Sequence, residues 1–432
     1  MKVKRGCAIA DSLLKWEPFY VIPFGLSPLF IVGFLPRLYH IGFLGLAICC
    51  MPWVLRRWRR GYFSYRTPFD LALSVFLLGA LIGLYASVRL EVGVARFLNL
   101  LGGVLGYYMV VNNASEGSLR LFLGLFIIGG LVVILTTMSQ IPDINRYTSS
   151  ALLGLVRPLL GLFSKLPKFP VLIYEEMCPF RPSILRFVIV LIPYTLLFSL
   201  WGRRFIRVVS GAFTGLFIFL LLLTSMRGSL LALFAGLLVM GVYWRARVIF
   251  SLPAVGLAAY GLLVSPLFGK TESTLEILGD PSKFARLDIW RVARWVIQDF
   301  PYTGSGLGLE NWYRMLPLYG AIYFGPQPPR VHVHNFYLQI YIEQGIFGLT
   351  GLLAIIIVAF WTGWRFRYKA EGFARVLVLG SVGSFAALMA SSLTDSMPST
   401  PLGILLFFWP LAMMVGAIQI SQANDALSTG LS

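Results

Sequence analysis

Two of the chain's three histidines, His332 and His334, lie two residues apart at the end of a long segment that contains no membrane-spanning run. Histidine is suited to act as a general base or a proton shuttle because its pKa lies near neutrality. The pair also has the spacing of metal ligands, but no third histidine lies nearby and the chain contains no Asp-x-Asp sequence. We therefore expect no metal site. A buried, hydrogen-bonded histidine is the alternative to a catalytic one.

Arg286 lies in a segment, 283–300, whose apolar residues recur with the period of an amphipathic helix. On that helix Arg286 falls on the apolar side with Trp290, whereas Arg291 falls on the polar side. An arginine on an apolar face needs an anionic partner, because burying an unpaired charge is costly. That partner is either a carboxylate of the chain or a phosphate of a substrate, which the forked guanidinium fits well.

Arg227 interrupts a nearly continuous apolar run from Gly211 to Val242. A charged residue at the end of a membrane helix is either functional or extends its side chain to the interface. The topology below places Arg227 on the outer face, where basic residues are under-represented. That position favours a functional role.

The segment Pro301–Gly308 has glycine at three of its eight positions. Glycines permit a tight turn, and they also let backbone amides approach an anion closely. The segment lacks the strand and helix context of a dinucleotide-binding loop and the lysine of a P-loop. The turn and the anion-binding interpretations both remain open.

A membrane-embedded scaffold must position these residues. The chain is 58% hydrophobic and 12% charged, with a mean hydropathy of +0.79, whereas a soluble globular chain is roughly 25% charged. The apolar residues form long runs without alternation, which predicts helices and excludes a barrel. We expect an all-α polytopic membrane protein with about twelve transmembrane helices. The predicted spans are 19–35, 40–55, 69–87, 92–111, 119–138, 184–201, 205–224, 229–245, 248–267, 336–361, 376–393 and 400–420.

The net charge of +18 comes from Lys and Arg at the ends of the spans, so it does not indicate nucleic-acid binding. If the basic side is cytoplasmic, both termini are cytoplasmic. Two loops, near 139–183 and 268–335, then face outward. We divide the chain into residues 1–267 with helices 1–9, a large periplasmic loop at 268–335, and residues 336–432 with helices 10–12 and a cytoplasmic tail.

Several short sequences occur in a fixed order between residues 210 and 350. They are Ser225-Met226-Arg227-Gly228, Arg286-Leu287-Asp288-Ile289-Trp290, Pro301 with Gly304-Ser305-Gly306, His334-Asn335, Leu338-Gln339, and Glu343-Gln344-Gly345 with Gly348. This ordered combination resembles the O-antigen ligase and O-antigen polymerase superfamily, although each piece alone is weak. Met226 is a minor departure from the usual pattern. The N-terminal half matches only as a membrane scaffold.

The resemblance implies a membrane glycosyltransferase of the GT-C type in the bacterial inner membrane, inverting and independent of metal, with no cofactor. Its donor would be a glycan on undecaprenyl diphosphate, and its acceptor a sugar hydroxyl of lipid A–core on the periplasmic face. It further implies that Arg227 and Arg286 bind the diphosphate and that His334 activates the acceptor hydroxyl. Secondary candidates for the site are His332, Arg291 and Asn335.

Two alternatives to the ligase remain. A polymerase for O-antigen or exopolysaccharide would use the same signature to join repeat units on the lipid carrier. A transporter of a lipid-linked anion belongs to another class, and it is disfavoured because few ionisable residues lie at mid-span depth, where transport sites occur. About twelve spans with one dominant outer loop favour the ligase.

Overall fold

A computed structural model of the chain describes residues 2–139, 188–223, 227–245, 281–325, 331–396 and 399–428, and these ranges are helical with no strand. The α-helices of the first part are α1 Lys2–Lys15, α2 Glu17–Tyr20, α3 Ser27–Phe34, α4 Tyr39–Arg60, α5 Asp70–Tyr85, α6 Leu90–Asn112 and α7 Glu116–Ser139. Those of the second part are α8 Val188–Trp201, α9 Arg204–Leu223, α10 Arg227–Trp244, α11 Pro281–Asp299, α12 Leu309–Tyr319, α13 Ala321–Phe324, α14 Phe336–Phe366, α15 Gly372–Ser391 and α16 Pro401–Ser428.

Seven helices of the described ranges are long and apolar enough to cross a membrane, and three shorter apolar helices accompany them. The chain is therefore a multi-pass membrane protein with an all-helical fold. Helices occupy the predicted spans wherever the chain is described, but the span at 248–267 and most of the loop at 139–183 lie outside the described residues. The count of twelve stays a prediction.

Two of the predicted spans are interrupted. The first, 19–35, consists of α2, a π-helix Val21–Leu26 and α3, because Pro23 removes an amide donor from the helical ladder. The span predicted at 336–361 is broken at Gly345, whose φ of 63° and ψ of −161° are not helical. At 1.5 Å per residue the part after the break, 346–366, is about 31 Å long and still sufficient to cross a bilayer.

The contacts between residues divide the chain into two units. The first contains residues 1–115, 284–362 and 395–416, and the second contains 116–283, 363–394 and 417–432. In the second unit α15 packs on α8 and α10, and the Tyr194 and Ser381 hydroxyls hydrogen-bond at 2.9 Å inside that packing. The first unit holds most of the predicted site residues.

Helix α6 is the centre of the first unit, where it packs against α3, α4 and α5. A buried ion pair between Arg56 of α4 and Glu17 of α2 lies in the same unit, and Asn113 donates a hydrogen bond to the Glu17 carboxylate at 3.0 Å. Both charged side chains are 1% exposed. The pair ties α2 to α4 near the basic end of α4.

The described part of the loop predicted at 268–335 has its own hydrophobic core, which also belongs to the first unit. Helices α11 and α12 pack through their apolar faces against Val333 and against Ile342 of α14. Trp312 of α12 is fully buried in this cluster. The buried residues of the cluster are Ile289, Val292, Ala293, Val296, Trp312, Leu316, Val333 and Ile342.

Candidate functional site

Two indole groups hold the histidine-containing segment, residues 331–335, against the core. Trp290 of α11 donates its Nε1–H to the Val333 carbonyl at 2.9 Å, and Trp312 of α12 donates its Nε1–H to the Val331 carbonyl at 2.9 Å. The Val333 side chain is fully buried. Backbone bonds to alternate residues of one segment fix both its position and its rotation, so the two histidines have a defined direction.

His332 and His334 lie side by side and are half-buried, with ring centroids 6.0 Å apart. The Tyr313 hydroxyl lies 3.4 Å from Nδ1 of His332. His334 has a φ of 53°, the only positive φ at a non-glycine position in the described residues. A side chain in this left-handed region costs of order 1–3 kcal/mol and persists only where the surroundings impose it. Such strain is typical of functional positions.

Asn335 is the N-cap of α14. Its side-chain Oδ1 accepts a hydrogen bond from the Leu338 amide at 3.0 Å, as an N-cap does for the third residue of a helix. Asparagine directly before an apolar helix is a recognisable capping signal, so this role was accessible from the sequence. Asn335 therefore fixes the start of α14 directly after His334.

Helix α11 confirms the amphipathic helix predicted for 283–300. Arg286 is half-buried on the side of the core, and no carboxylate of the described residues forms an ion pair with it. Trp290, which binds the segment next to His334, lies one turn after Arg286 on the same face, about 6 Å along the axis. Arg286 therefore lies one helical turn from the side chain that binds the residue before His334.

Arg291 lies on the exposed side of α11, as its predicted position requires. Its side chain is 60% exposed, and its guanidinium pairs with Asp288 at 2.8 Å, three residues earlier on the same helix. It also lies over the Tyr323 ring, 6.0 Å from the centroid. These contacts with its own unit are sufficient to account for Arg291 without a ligand.

Arg227 is the first residue of α10, so it lies at a helix end, as its position between the spans predicted at 205–224 and 229–245 requires. Its side chain lies outside the described part of the structure. Glu276, a carboxylate of the loop predicted at 268–335 that could pair with Arg286, also lies outside the described residues. The diphosphate-binding role of Arg227 stays a prediction.

The glycine-rich segment Pro301–Gly308 is a turn that packs against the protein itself. The Ser305 amide donates to the Ile342 carbonyl at 2.7 Å, and the Leu307 amide donates to the Ser87 hydroxyl at 2.9 Å. A Cβ at Gly304, which has a φ of 68°, would lie 2.6 Å from the Ile342 carbonyl oxygen. These amides have acceptors of their own, so the contacts favour the turn over an anion-binding loop.

The same turn joins α11, α12 and α14. At its start, the Pro301 carbonyl accepts a hydrogen bond from the Ile346 amide at 2.9 Å, directly after the break in α14. The Tyr319 hydroxyl at the end of α12 donates to the Asp299 carboxylate at the end of α11 at 2.5 Å. That hydrogen bond raises the pKa of Tyr319 above its ordinary value.

A buried polar network in the first unit was missed in the sequence. Arg96 of α6 pairs with Glu343 of α14, with Nε and Oε2 3.1 Å apart, and Gln339 donates to the other Glu343 oxygen at 2.7 Å. Arg96 also donates from Nη1 to the Ser399 carbonyl at 2.5 Å. An arginine inside the span predicted at 92–111 was the available signal, because charged residues within spans are functional candidates.

Within the described ranges, no three His, Cys, Asp or Glu side chains come together in an arrangement that could hold a metal ion. His332 and His334 therefore have no third ligand of these types there. The independence of the site from metal stays a prediction.

The part of the chain that carries Arg227, Arg286 and His334 is similar to a known protein family. The family described as O-antigen ligase matches residues 212–353. Teichuronic acid biosynthesis protein TuaE of Bacillus subtilis (strain 168) is 26% identical over 223 residues, which cover 48% of this chain and 44% of that protein. This chain thus aligns with less than half the length of its relative.

The matched region begins in α9 and ends in α14, and it includes Arg227, Arg286 and His334. Because it coincides with the 210–350 region of the motif resemblance, it confirms that resemblance to the O-antigen ligase and polymerase superfamily. Residues 212–353 of this multi-pass membrane protein are therefore similar to the O-antigen ligase family and are here called the family domain.

Proposed function

We propose that the protein is an O-antigen ligase of the bacterial inner membrane, active in polysaccharide biosynthesis. It transfers a glycan en bloc from undecaprenyl diphosphate to a sugar hydroxyl of lipid A–core on the periplasmic face. The enzyme is of the GT-C type, has about twelve spans, and works without a metal or cofactor. Its partners are the lipid-linked donor, the lipid A–core acceptor and the surrounding membrane lipids.

One observation supports this function most strongly. His334, within the family domain, is held half-buried in a strained left-handed conformation by the Trp290 and Trp312 indoles and by the cap of α14. The chain expends free energy on the orientation of one imidazole, which a structural histidine does not require. An oriented imidazole near the surface of its unit is suited to accept a proton from a hydroxyl.

The proposed reaction uses His334 and the two arginines in separate roles. His334 accepts the proton of the acceptor hydroxyl as its oxygen bonds to the anomeric carbon. The bond from that carbon to the phosphate oxygen breaks, and undecaprenyl diphosphate leaves with the electron pair, so the anomeric configuration inverts. Arg286 and Arg227 stabilise the charge that develops on the leaving diphosphate.

The distribution of basic residues supports the proposed orientation. Arg56, Arg57, Arg59 and Arg60 lie in the last turns of α4. Arg365 lies in the last turn of α14, and Arg367 directly follows that helix. If these ends are cytoplasmic, the opposite end of α14, which carries His334 and Asn335, faces the periplasm. Both termini of the chain are then cytoplasmic.

A polymerase is the second candidate, because the relative TuaE is named for teichuronic acid biosynthesis and not for the modification of lipid A. A polymerase would use the same donor and the same leaving group. It would differ in its acceptor, which would be the glycan of a second carrier lipid.

The test is a reconstituted transfer assay in bilayer vesicles. The full-length protein receives an undecaprenyl-diphosphate glycan with or without lipid A–core, in the presence of EDTA. We expect glycan on lipid A–core only when that acceptor is present, and loss of product with His334→Ala. His40→Ala is the matched control, because His40 is the remaining histidine and lies exposed on α4.

The alternatives give different products in the same assay. Longer glycans on the carrier lipid without any added acceptor would identify a polymerase and reject the ligase. A requirement for metal would reject the proposed mechanism. Movement of intact donor across the vesicle bilayer without transfer would reject both enzymes in favour of a transporter.

A further inference from the structure

The buried ion pair between Arg96 and Glu343 joins residues that are 247 positions apart in the chain. Arg96 is 7% exposed and Glu343 is 1% exposed. Arg96 lies six residues after the start of α6, and its Cβ lies close to Gly308 in the glycine-rich turn. The pair therefore lies beside the turn that links α11 to α12.

Each partner of the pair has further contacts that orient it. Glu343 accepts from Arg96 with Oε2 and from Gln339 with Oε1. Arg96 holds the Ser399 carbonyl with Nη1, just before α16 begins. A carboxylate with both oxygens engaged and a guanidinium with two nitrogens engaged have little freedom to rotate. The network thus fixes one face of the first segment of α14.

That first segment, 336–344, is separated from the rest of α14 by a break in the helix. It begins at the Asn335 cap directly after His334 and ends at the break at Gly345. A Cβ at Gly345 would collide with the Tyr302 carbonyl, so the break allows the turn to pass close to α14. The segment is therefore not held by a continuous helical ladder to the membrane-spanning part of α14. Its orientation depends on side-chain contacts.

We propose that Arg96 and Glu343 are positioning residues that orient the segment 336–344 and, through it, the His334 imidazole. The chain of contacts runs from Arg96 to Glu343, along one turn of helix to Gln339, and from the Gln339 amide to the Asn335 carbonyl at 2.9 Å. His334 directly precedes Asn335 in the chain. The inference rests on the proposed function, since it assigns the pair to the reaction of His334.

The cost of the pair argues for a role beyond stability. Removing two charges from water costs several kcal/mol per ion, and a well-packed apolar pair of similar size is often at least as stable. The ion pair instead provides a fixed direction, because a guanidinium and a carboxylate meet in few geometries. A catalytic base requires a fixed orientation toward the group from which it accepts a proton.

The chain offers a matched control in the pair Arg56–Glu17. It lies in the same unit, is at least as deeply buried, and also joins two helices. Within the described residues it forms no hydrogen bond or ion pair with the segment 331–344. The same double substitution can therefore be made in both pairs.

The experiment compares Arg96→Met/Glu343→Leu with Arg56→Met/Glu17→Leu in vesicles, with the wild type and Arg96→Lys alongside. Replacing both charges together avoids an uncompensated buried charge, so both double variants are expected to fold. Initial rates over a range of donor concentrations give kcat and KM. We expect the first variant to lose about 10–100-fold in kcat with donor KM within about twofold.

Arg96→Lys is expected to recover part of the lost kcat, because it keeps the charge but not the fork. The control pair is expected to keep kcat within about twofold. An unchanged kcat in Arg96→Met/Glu343→Leu would overturn the inference and leave a purely structural pair. A raised donor KM with retained kcat would also overturn it, since Arg96 would then bind the donor directly.

Hydrogen exchange without substrate gives a readout that does not depend on the reaction. Amides of Phe336–Gln344 are expected to exchange at least about tenfold faster in Arg96→Met/Glu343→Leu and at the wild-type rate in the control. Unchanged exchange would overturn the inference even if the enzyme is active. If the wild type transfers no glycan but the segment still exchanges faster in Arg96→Met/Glu343→Leu, the proposed function is rejected. The coupling between the ion pair and the segment is then retained.

Discussion

The first unit contains two buried arginine–carboxylate pairs that look alike but differ in what they hold. Arg56–Glu17 and Arg96–Glu343 each join two helices, and each carboxylate accepts a further amide hydrogen bond. Each also lies beside an irregular helix: the π-helix Val21–Leu26 follows Glu17, and the break at Gly345 follows Glu343. They differ in their neighbours.

Arg56–Glu17 lies at the basic end of α4 and outside the family domain, whereas Glu343 lies inside it, nine residues after His334. This difference in position means that burial and charge do not by themselves indicate a role in the reaction. A pair contributes to function only if the element that it orients carries a reacting group. Removing one partner alone should cost stability in either pair, whereas only the loss of Arg96–Glu343 should cost turnover.

The largest effect is expected when one charge of a pair is removed alone. Glu343→Leu leaves the Arg96 guanidinium buried without its carboxylate and should lower the free energy of unfolding by about 3–5 kcal/mol. Glu17→Leu should cost a similar amount for the same reason. Thermal unfolding of both variants measures these costs. A much smaller cost for Glu17→Leu would show that the two pairs are not energetically equivalent.

Gly345→Ala should have the next largest effect. The residue has a φ of 63°, and an added Cβ would collide with the Tyr302 carbonyl, so the break should distort at a cost of about 1–3 kcal/mol. Gly124→Ala in α7 is the control, because a Cβ there meets nothing within 4 Å. Unfolding temperature and kcat are measured for both. A wild-type kcat in Gly345→Ala would show that the backbone geometry at Gly345 does not affect the function of His334.

Arg286→Lys should lower kcat about tenfold or more, because an ammonium group cannot reproduce a forked contact with the diphosphate. Arg291→Lys is the matched control, since Arg291 lies one to two turns further along α11 and is exposed and paired with Asp288. The transfer assay measures both. Equal activity of the two lysine variants would count against the diphosphate role of Arg286.

The smallest effect concerns an exposed hydrogen bond. The bond from Tyr319 to Asp299 raises the Tyr319 pKa, so its stabilisation is present below the ordinary tyrosine pKa of 10.0 and disappears as pH rises through the raised value. Wild type and Tyr319→Phe should differ in unfolding temperature by little at pH 8, since such surface contacts contribute well under about 1 kcal/mol. The difference should vanish above the raised pKa. A growing advantage of the wild type at high pH would contradict this sign.

Local patterns in the sequence predicted much of the fold and part of the site. Long apolar runs located the spans, and helical periodicity placed Arg286 and Arg291 on opposite faces of α11 as the structure has them. Histidine spacing drew attention to the segment that the two indoles hold. These features depend on neighbours within a few turns, and periodicity reports such neighbours directly.

The features that sequence reasoning missed depend on distant contacts. Nothing in the residues around Arg96 indicates a partner 247 positions away. The span at 336–361 reads as continuous because a single glycine within a mostly apolar segment does not signal a helix break. The role of Gly345 follows only from the Tyr302 backbone that passes beside it. The Asn335 cap is the exception, because its signal is local.

The most direct test of the account is the release of undecaprenyl diphosphate from the lipid-linked donor. Ligase and polymerase both break the bond between the sugar and the diphosphate, whereas a transporter does not. We expect the full-length protein in vesicles with its acceptor to release one undecaprenyl diphosphate for each glycan transferred. His334→Ala should abolish this release, and His40→Ala should retain it. Release that persists at the wild-type rate in His334→Ala would contradict the central claim.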